Sequence, residues 1–328
     1  MAMQEAASPS PPTKHTTSTM QGIFRSMGRV AGGKWSEPIA SSYMVRSANY
    51  MKKKKKIESG KMLFRLVHTE IVKSRKGCIS SASQTPGTWY SNHKELIPGD
   101  SFLLVLNLQL RSLATNVISY HLMDDDHHAK ELKSGNPSAR LLRKLLSPDT
   151  RDVWRDSRIK MIPRIIEAPF VVRMAVSSRP VIIGRKVSCK YHMSGKYAEI
   201  KCNLDSSSVA AAAIKLAHKW STKIVCELVW LLEGQNIKEL PEQLLAGIRL
   251  DRIAFNLARK LCPTAKVMDV PEHRSASRSG RANAGTSPSS QHLSSSSSSR
   301  RRPFSAADGT KSGSGNSSSS SRRKSIAQ

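Results

Sequence analysis

Between Phe170 and Arg252 the spacing of apolar positions changes part-way, and that change predicts most of the architecture. Val181, Ile182 and Ile183 form an apolar run that stops at Gly184. Val187, Cys189 and Tyr191 then alternate with Lys186, Ser188 and Lys190, the period of two expected of a strand with one wet face. Met193-Ser194-Gly195-Lys196 reads as a hairpin connection. Beyond it Tyr197, Glu199, Lys201 and Asn203 alternate with Ala198, Ile200, Cys202 and Leu204. At Asp205-Ser206-Ser207-Ser208 the pattern breaks. Such side chains accept hydrogen bonds from the free amides that open a helix, and an alanine-rich run follows.

The helical period predicts one long helix from this cap to Glu233, about 40 Å at 1.5 Å per residue, with Gly234 as its stop. Val209, Ala213, Leu216, Ala217, Trp220, Ile224, Leu228 and Leu231 fall on one stripe. Packed on the preceding strands, that stripe makes Trp220, Ile224 and Leu228 candidates for one wall of an apolar groove. Lys215, Lys219, Lys223 and Glu227 interrupt every window long enough to span a bilayer. Glu227 and Glu233 read as helix-surface acids with lysine neighbours, Glu199 as a wet strand position, and Asp205 as a helix cap.

Elsewhere the pattern is strand-like first and polar between. Met44 to Tyr50 is a short strand, and Met62 to Val72 is a mostly buried one. Lys52 to Lys56, five consecutive lysines, fall on the loop between them. Residues 73–100 read as a polar loop with Pro86-Gly87 and Pro98-Gly99 turns. Phe102 to Leu110 is apolar except for Asn107 and Gln109, and Val117 to Met123 is its expected antiparallel neighbour. Leu141 to Leu146 is a basic amphipathic turn or helix stopped by Pro148, and Met161 to Pro169 is extended around Pro163. Phe170 to Val176 fits helix or strand equally. A second helix is expected after Pro241, over Glu242 to Leu250 and on towards Lys260. From Pro263 onward serine, arginine and glycine dominate, a composition that cannot bury a core. The expected organisation is therefore a disordered leader over 1–34, a domain over 35–260 and a disordered tail over 261–328.

Charge narrows the partner. The formal net charge is +29, shared by the central segment and both tails. Such an excess attracts anionic membranes or nucleic acid. Lys52, Lys53, Lys54, Lys55 and Lys56 are its densest cluster and the candidate anion-binding or membrane-binding site. The Ser/Arg tail carries Phe304 as its only aromatic, which argues against stacking on single-stranded nucleic acid. Arg322-Arg323-Lys324-Ser325 has the basic residues upstream of a serine that basophilic kinases favour, so Ser325 is a phosphorylation candidate. Residues 1–34 lack the apolar segment of a secretory signal; a transit peptide is the alternative to a disordered leader.

Candidate chemistry is sparse. The cysteines, Cys78, Cys189, Cys202, Cys226 and Cys262, form no CxxC pair and read as buried reduced thiols. Asp124-Asp125-Asp126-His127-His128 offers ligating groups, but consecutive residues in one loop rarely close a metal site. No phosphate-binding glycine loop, GxGxxG or GxSxG occurs. Neither enzyme, cofactor nor metal is expected.

One resemblance changes the picture. Trp35, Met44-Val45-Arg46 with Asn49-Tyr50, Phe102 to Gln109, Arg155-Asp156-Ser157-Arg158-Ile159-Lys160-Met161-Ile162-Pro163 and the whole 170–252 stretch together resemble the C-terminal domain of the plant Enhanced Disease Resistance 2 family. Ser47 stands where the family pattern has glycine. The resemblance implies a non-enzymatic, lipid- or membrane-associated protein. In the family this domain usually follows pleckstrin-homology and START domains, which the 34 residues ahead of Trp35 are too few to hold. The expected fold is α+β, an antiparallel sheet with a long amphipathic helix packed across it in a helix-grip-like arrangement. The expected role is a regulatory domain, cytoplasmic and peripheral to a membrane, whose partner is a lipid or an anionic surface. A basic nucleic-acid-binding protein is the alternative, and a lipid hydrolase the third reading.

Overall fold

A computed structural model describes residues 25–74, 77–99, 101–123, 130 and 133–261. The leader up to residue 24, the Asp124–His128 cluster, Cys262 and Ser325 lie outside the described residues. In chain order the strands are β1 Met27–Val30, β2 Gly33–Ser36, β3 Met44–Arg46, β4 Lys56–Glu58, β5 Arg65–Ser74, β6 Phe102–Leu110, β7 Thr115–Met123, β8 Ile159–Glu167, β9 Val181–Ile182, β10 Ser188–Ser194, β11 Tyr197–Asn203, β12 Val225–Leu232, β13 Leu244–Asp251 and β14 Arg259–Leu261. The helices are α1 Tyr50–Lys53, α2 Trp89–His93, α3 Pro137–Leu146, α4 Asp152–Asp156, α5 Phe170–Ala175 and α6 Ser208–Lys219.

The fold is α+β. One six-stranded sheet has the order β1-β2-β13-β12-β8-β9 and is antiparallel throughout. The second has the order β10-β11-β6-β7-β5-β14, with parallel pairing at β11–β6 and β14–β5. Their facing surfaces enclose one core. Leu104, Leu106, Ile200 and Cys202 from the second sheet share it with Trp230, Leu245, Ile248 and Leu250 from the first. Helix α3 is capped by Asn136, whose side chain accepts from the Ala139 amide at 2.7 Å, and adds Leu141, Leu142 and Leu145 to that core.

Each sheet also has a covered outer face. Tyr43 and Val45 lie on Val229, Leu231 and Leu244 of the first sheet. Ile79, Ala82 and Trp89 lie on Leu103, Val105 and Tyr120 of the second. This explains why β6 is buried along its entire length and not on alternate positions only. Gly247 faces the first cover so closely that an added Cβ would sit 2.9 Å from Met62 and 3.1 Å from Val229.

Several expectations hold in detail. Strand β6 and its antiparallel neighbour β7, the β10–β11 hairpin, extended chain around Pro163 and a helix cap within Asp205–Ser208, which falls at Ser207, are all present. Pro163 sits beyond the reach of β9, which pairs only with Lys160 and Met161, so its missing amide disrupts no ladder there. Phe170–Ala175 is a helix.

The long helix does not form. Helix α6 ends at Lys219, and Val225–Leu232 is a central strand. Spacing alone misleads here because Trp220, Ile224 and Leu228 satisfy the helical period by coincidence. In β12 the residues Cys226, Leu228, Trp230 and Leu232 face one side and Val225, Glu227, Val229 and Leu231 the other. Two partners, β8 and β13, satisfy its backbone on both edges, and that decides strand over helix. The second expected helix is likewise the strand β13. Helix α6 itself contains no fully buried residue and contributes Ala210 and Ile214 at the margin of the core. The helix-grip arrangement is thus replaced by two sheets packed on each other.

Candidate functional site

The lysine run lies on the cover of the first sheet. Strands β3 and β4 pair so that Arg46 faces Lys56 and Val45 faces Ile57. Between them the chain makes the single turn α1, and Lys54 reverses it with a left-handed φ of 52° while its amide donates to the Tyr50 carbonyl at 2.8 Å. Ser47 donates its hydroxyl to the Lys55 carbonyl at 2.8 Å and closes the base of the loop. A hydrogen-bonded loop of this kind holds its charges together. Lys52, Lys53, Lys54, Lys55 and Lys56 are all exposed, and among the described residues none has an ion-pair partner. Lys54 instead lies 5.5 Å from the Tyr50 ring centre. Met44 and Ile57 are exposed apolar residues beside them.

A cleft of about 150 Å³ opens at the foot of this loop, lined by Arg46, Tyr50, Lys56, Lys160, Ile182, Glu233 and Glu242 among others. Lys160 sits on β8 and donates to Glu242 at 2.6 Å, with Glu233 at 3.9 Å. Burial lowers the Lys160 ammonium, and Glu242 partly restores it. Arg46 pairs with Glu233 at 2.9 Å and donates to the Gly234 carbonyl at 2.8 Å, with its guanidinium 4.8 Å from the Tyr50 ring centre. Three cations therefore face two carboxylates, and Lys56 brings the one among the described cations of the cleft with no ionic partner. The volume suits a small polar group and falls short of the roughly 300–1,000 Å³ that encloses a drug-sized ligand.

The apolar-groove candidates do not come together. Trp220 closes the end of α6, half-buried between Lys219 and Lys223, whose ammonium groups lie 6.0 and 5.4 Å from its ring centre. Ile224 is buried in the link to β12, and Leu228 faces the core from within β12. None of the three lines the cleft.

The burial of several carboxylates is not legible in the sequence, Glu199 and Glu70 of the second sheet among them. Glu199 is fully buried and accepts from Ser81 at 2.6 Å, Asn107 at 2.9 Å, Tyr197 at 2.9 Å and the Ala82 amide at 3.0 Å. Glu70 accepts from Tyr120 at 2.6 Å and the Trp89 amide at 2.9 Å, and pairs with Arg259. These donors enclose both acids and rivet residues 79–93 to the outer face of the second sheet. The signal was present in Asn107 and Gln109, polar positions in a strand too apolar to have a wet face. Glu227, Glu233 and Asp205 also change roles: Glu227 accepts from Tyr43, Arg164 and Arg249, Glu233 pairs with Arg46, and Asp205 accepts from the Ser112 amide at 3.3 Å.

Residues 35–254 match the family described as "Protein ENHANCED DISEASE RESISTANCE 2, C-terminal". The chain belongs to that family. A curated relative, "Protein ENHANCED DISEASE RESISTANCE 2-like" from Arabidopsis thaliana, is 27% identical over 233 residues, which is 68% of this chain and 29% of that protein. The chain thus spans under a third of the relative it matches. No solved structure matches it. Family strings map onto the framework of the fold. Trp35 is buried against His68, with Gly28 leaving it room because a Cβ there would lie 2.9 Å from its ring. Arg155 is buried and donates to the Leu145 carbonyl at 3.1 Å, and Asp156 accepts from Tyr191 at 2.6 Å.

Proposed function

We propose that this domain is a non-enzymatic regulatory module that works at the cytoplasmic face of a membrane, docking on anionic lipid through the Lys52–Lys56 loop. The observation that carries the reading is the presentation of five exposed lysines, without ionic partners among the described residues, on a hydrogen-bonded hairpin. A lysine near an anionic leaflet contributes about 1 kcal/mol before screening, so five supply a useful but salt-sensitive attraction. Exposed Met44 lies on the same face of the hairpin as Lys56 and adds apolar contact there. The adjoining cleft, with Lys56 at its mouth, has the size and sign for a headgroup anion. Family membership supports a regulatory domain. Among the described residues no helix is long and apolar enough to cross a membrane, and surface docking requires none.

The test is paired. The full chain is floated with neutral vesicles and with vesicles containing phosphatidylserine, and is run in gel shifts with generic RNA and DNA. Binding to anionic vesicles only, weakened by salt and by changing Lys52 through Lys56 to Gln, is the expected outcome. Nucleic-acid binding without vesicle association replaces this reading with the nucleic-acid one.

A further inference from the structure

Cys189 and Cys202 are directly opposed across the antiparallel β10–β11 ladder. Their sulfurs are 2.8 Å apart. Opposed residues in such a ladder have Cα atoms about 4.5–5.5 Å apart, inside the roughly 4.4–6.8 Å range that a disulfide spans. Both side chains point into the core between the sheets, at 8% and 1% exposure. The described remaining cysteines are placed otherwise. Cys78 donates to the Thr115 carbonyl at 3.3 Å, and Cys226 lies on β12 in the other sheet. The cysteines read from sequence as scattered buried thiols thus include one pair that the register of a hairpin brings together.

We propose that Cys189 and Cys202 form a redox pair that closes to an intrachain disulfide when the protein meets a peroxide. The Cys189 sulfur attacks the peroxide. The O–O bond breaks, Cys189 becomes a sulfenic acid, and the leaving oxygen departs as water or alcohol with the thiol proton. The Cys202 sulfur then displaces the sulfenic hydroxyl. The S–S bond forms, and the Cys202 proton leaves with that hydroxyl as water. Two thiols are oxidised and one peroxide is reduced, so electrons and atoms balance.

The roles follow from position. Strand β10 is the edge of its sheet, so Cys189 is the sulfur nearer solvent. Cys202 sits one strand further in. Its thiol is held well above the ordinary range by the hydrogen bond to Cys189 and by burial, so it is the weaker first nucleophile, and its place 2.8 Å from the Cys189 sulfur is what suits it to the resolving step. The bond would tie the edge strand to β11, whose parallel pairing with β6 joins it to the sheet. Closure therefore adds a covalent tie to a sheet edge that backbone hydrogen bonds and core packing hold.

The experiment uses the full chain, purified reduced. One sample is treated with hydrogen peroxide. A second is refolded from urea in a reduced/oxidised glutathione buffer, which removes any barrier of access. Both are alkylated and digested without reductant, and the peptides are identified by mass. The expected result in both is a Cys189–Cys202 cross-linked peptide, loss of two hydrogens from the intact mass, a raised thermal midpoint, and reversal by dithiothreitol. Cys189→Ser and Cys202→Ser each abolish the mass loss, and Cys78→Ser leaves it intact. Both thiols recovered free in the glutathione arm, or cross-links to other cysteines, overturn the pairing. Closure on refolding but not with peroxide overturns the peroxide step.

Discussion

The Tyr43 hydroxyl donates a 2.6 Å hydrogen bond to Glu227, a residue 184 positions away. That carboxylate also takes Arg249 at 3.1 Å and a close pair with Arg164, whose guanidinium lies 4.0 Å over the Tyr43 ring centre. Burial alone would raise the Glu227 carboxyl; the donors from Tyr43 and Arg164 outweigh it and hold the group below the usual carboxylate range. Burial first, and Glu227 next, push the Tyr43 hydroxyl up, so it remains a donor. This contact fastens the segment that leads into the lysine hairpin to the first sheet.

Removing it should loosen that cover. Tyr43→Phe is expected to cost about 1 kcal/mol, the net worth of one hydrogen bond. Glu227→Ala should cost about 3 kcal/mol, because two guanidinium groups lose their partner. Urea unfolding measures both. Equal, negligible effects would show that the cover is held by Val45 and its apolar neighbours instead.

Glu199→Ala should be more damaging than its place on an alternating strand suggests. It strips four donors of their acceptor, and breaking a buried network of this kind costs about 3–5 kcal/mol. Hydrogen exchange should show amides of residues 79–93 losing protection before those of β6 and β7. Uniform loss across the domain would contradict a local rivet.

Two tryptophans separate the observed packing from the expected helix. Trp230 is 1% exposed in the core, and Trp230→Ala should cost about 3–5 kcal/mol. Trp220 is half-buried between two lysines, so Trp220→Ala should cost only about 1–2 kcal/mol. The reverse order in thermal or urea unfolding would restore the long-helix packing.

Acid should destabilise the domain from about pH 6.5 downward. Burial lowers His121 and His68 from 6.5 to about 3 in the folded chain. Between those values the unfolded chain binds a proton on each imidazole and the folded chain does not. Stability is therefore full above 6.5 and falls as pH drops, by up to about 1.4 kcal/mol per pH unit per group. Glu227, lowered in the folded state, adds a loss below its ordinary 4.5. Unfolding free energy measured from pH 7 to pH 4 checks this, and His121→Gln should flatten the slope. A stability independent of pH over that interval would refute it.

Local pattern determined the strands that show a continuous apolar run or a clean period of two: β6, β7 and the β10–β11 hairpin. It also determined that a helix cap falls within Asp205–Ser208 and that charge clusters at Lys52–Lys56, because caps and charge runs are properties of neighbours in the chain. Tertiary structure decided the state of residues 220–232 and 244–251. Their apolar spacing fits either period, and the backbone partners that settle it come from β2, β8 and each other. It also decided that Glu199 and Glu70 are interior and that Cys189 faces Cys202. Burial of a polar residue depends on what covers it, here a segment about a hundred positions away for Glu199. The cleft beside the lysines has the same origin: Arg46, Lys160 and Glu242 meet only when β3, β8 and the segment ahead of β13 come together.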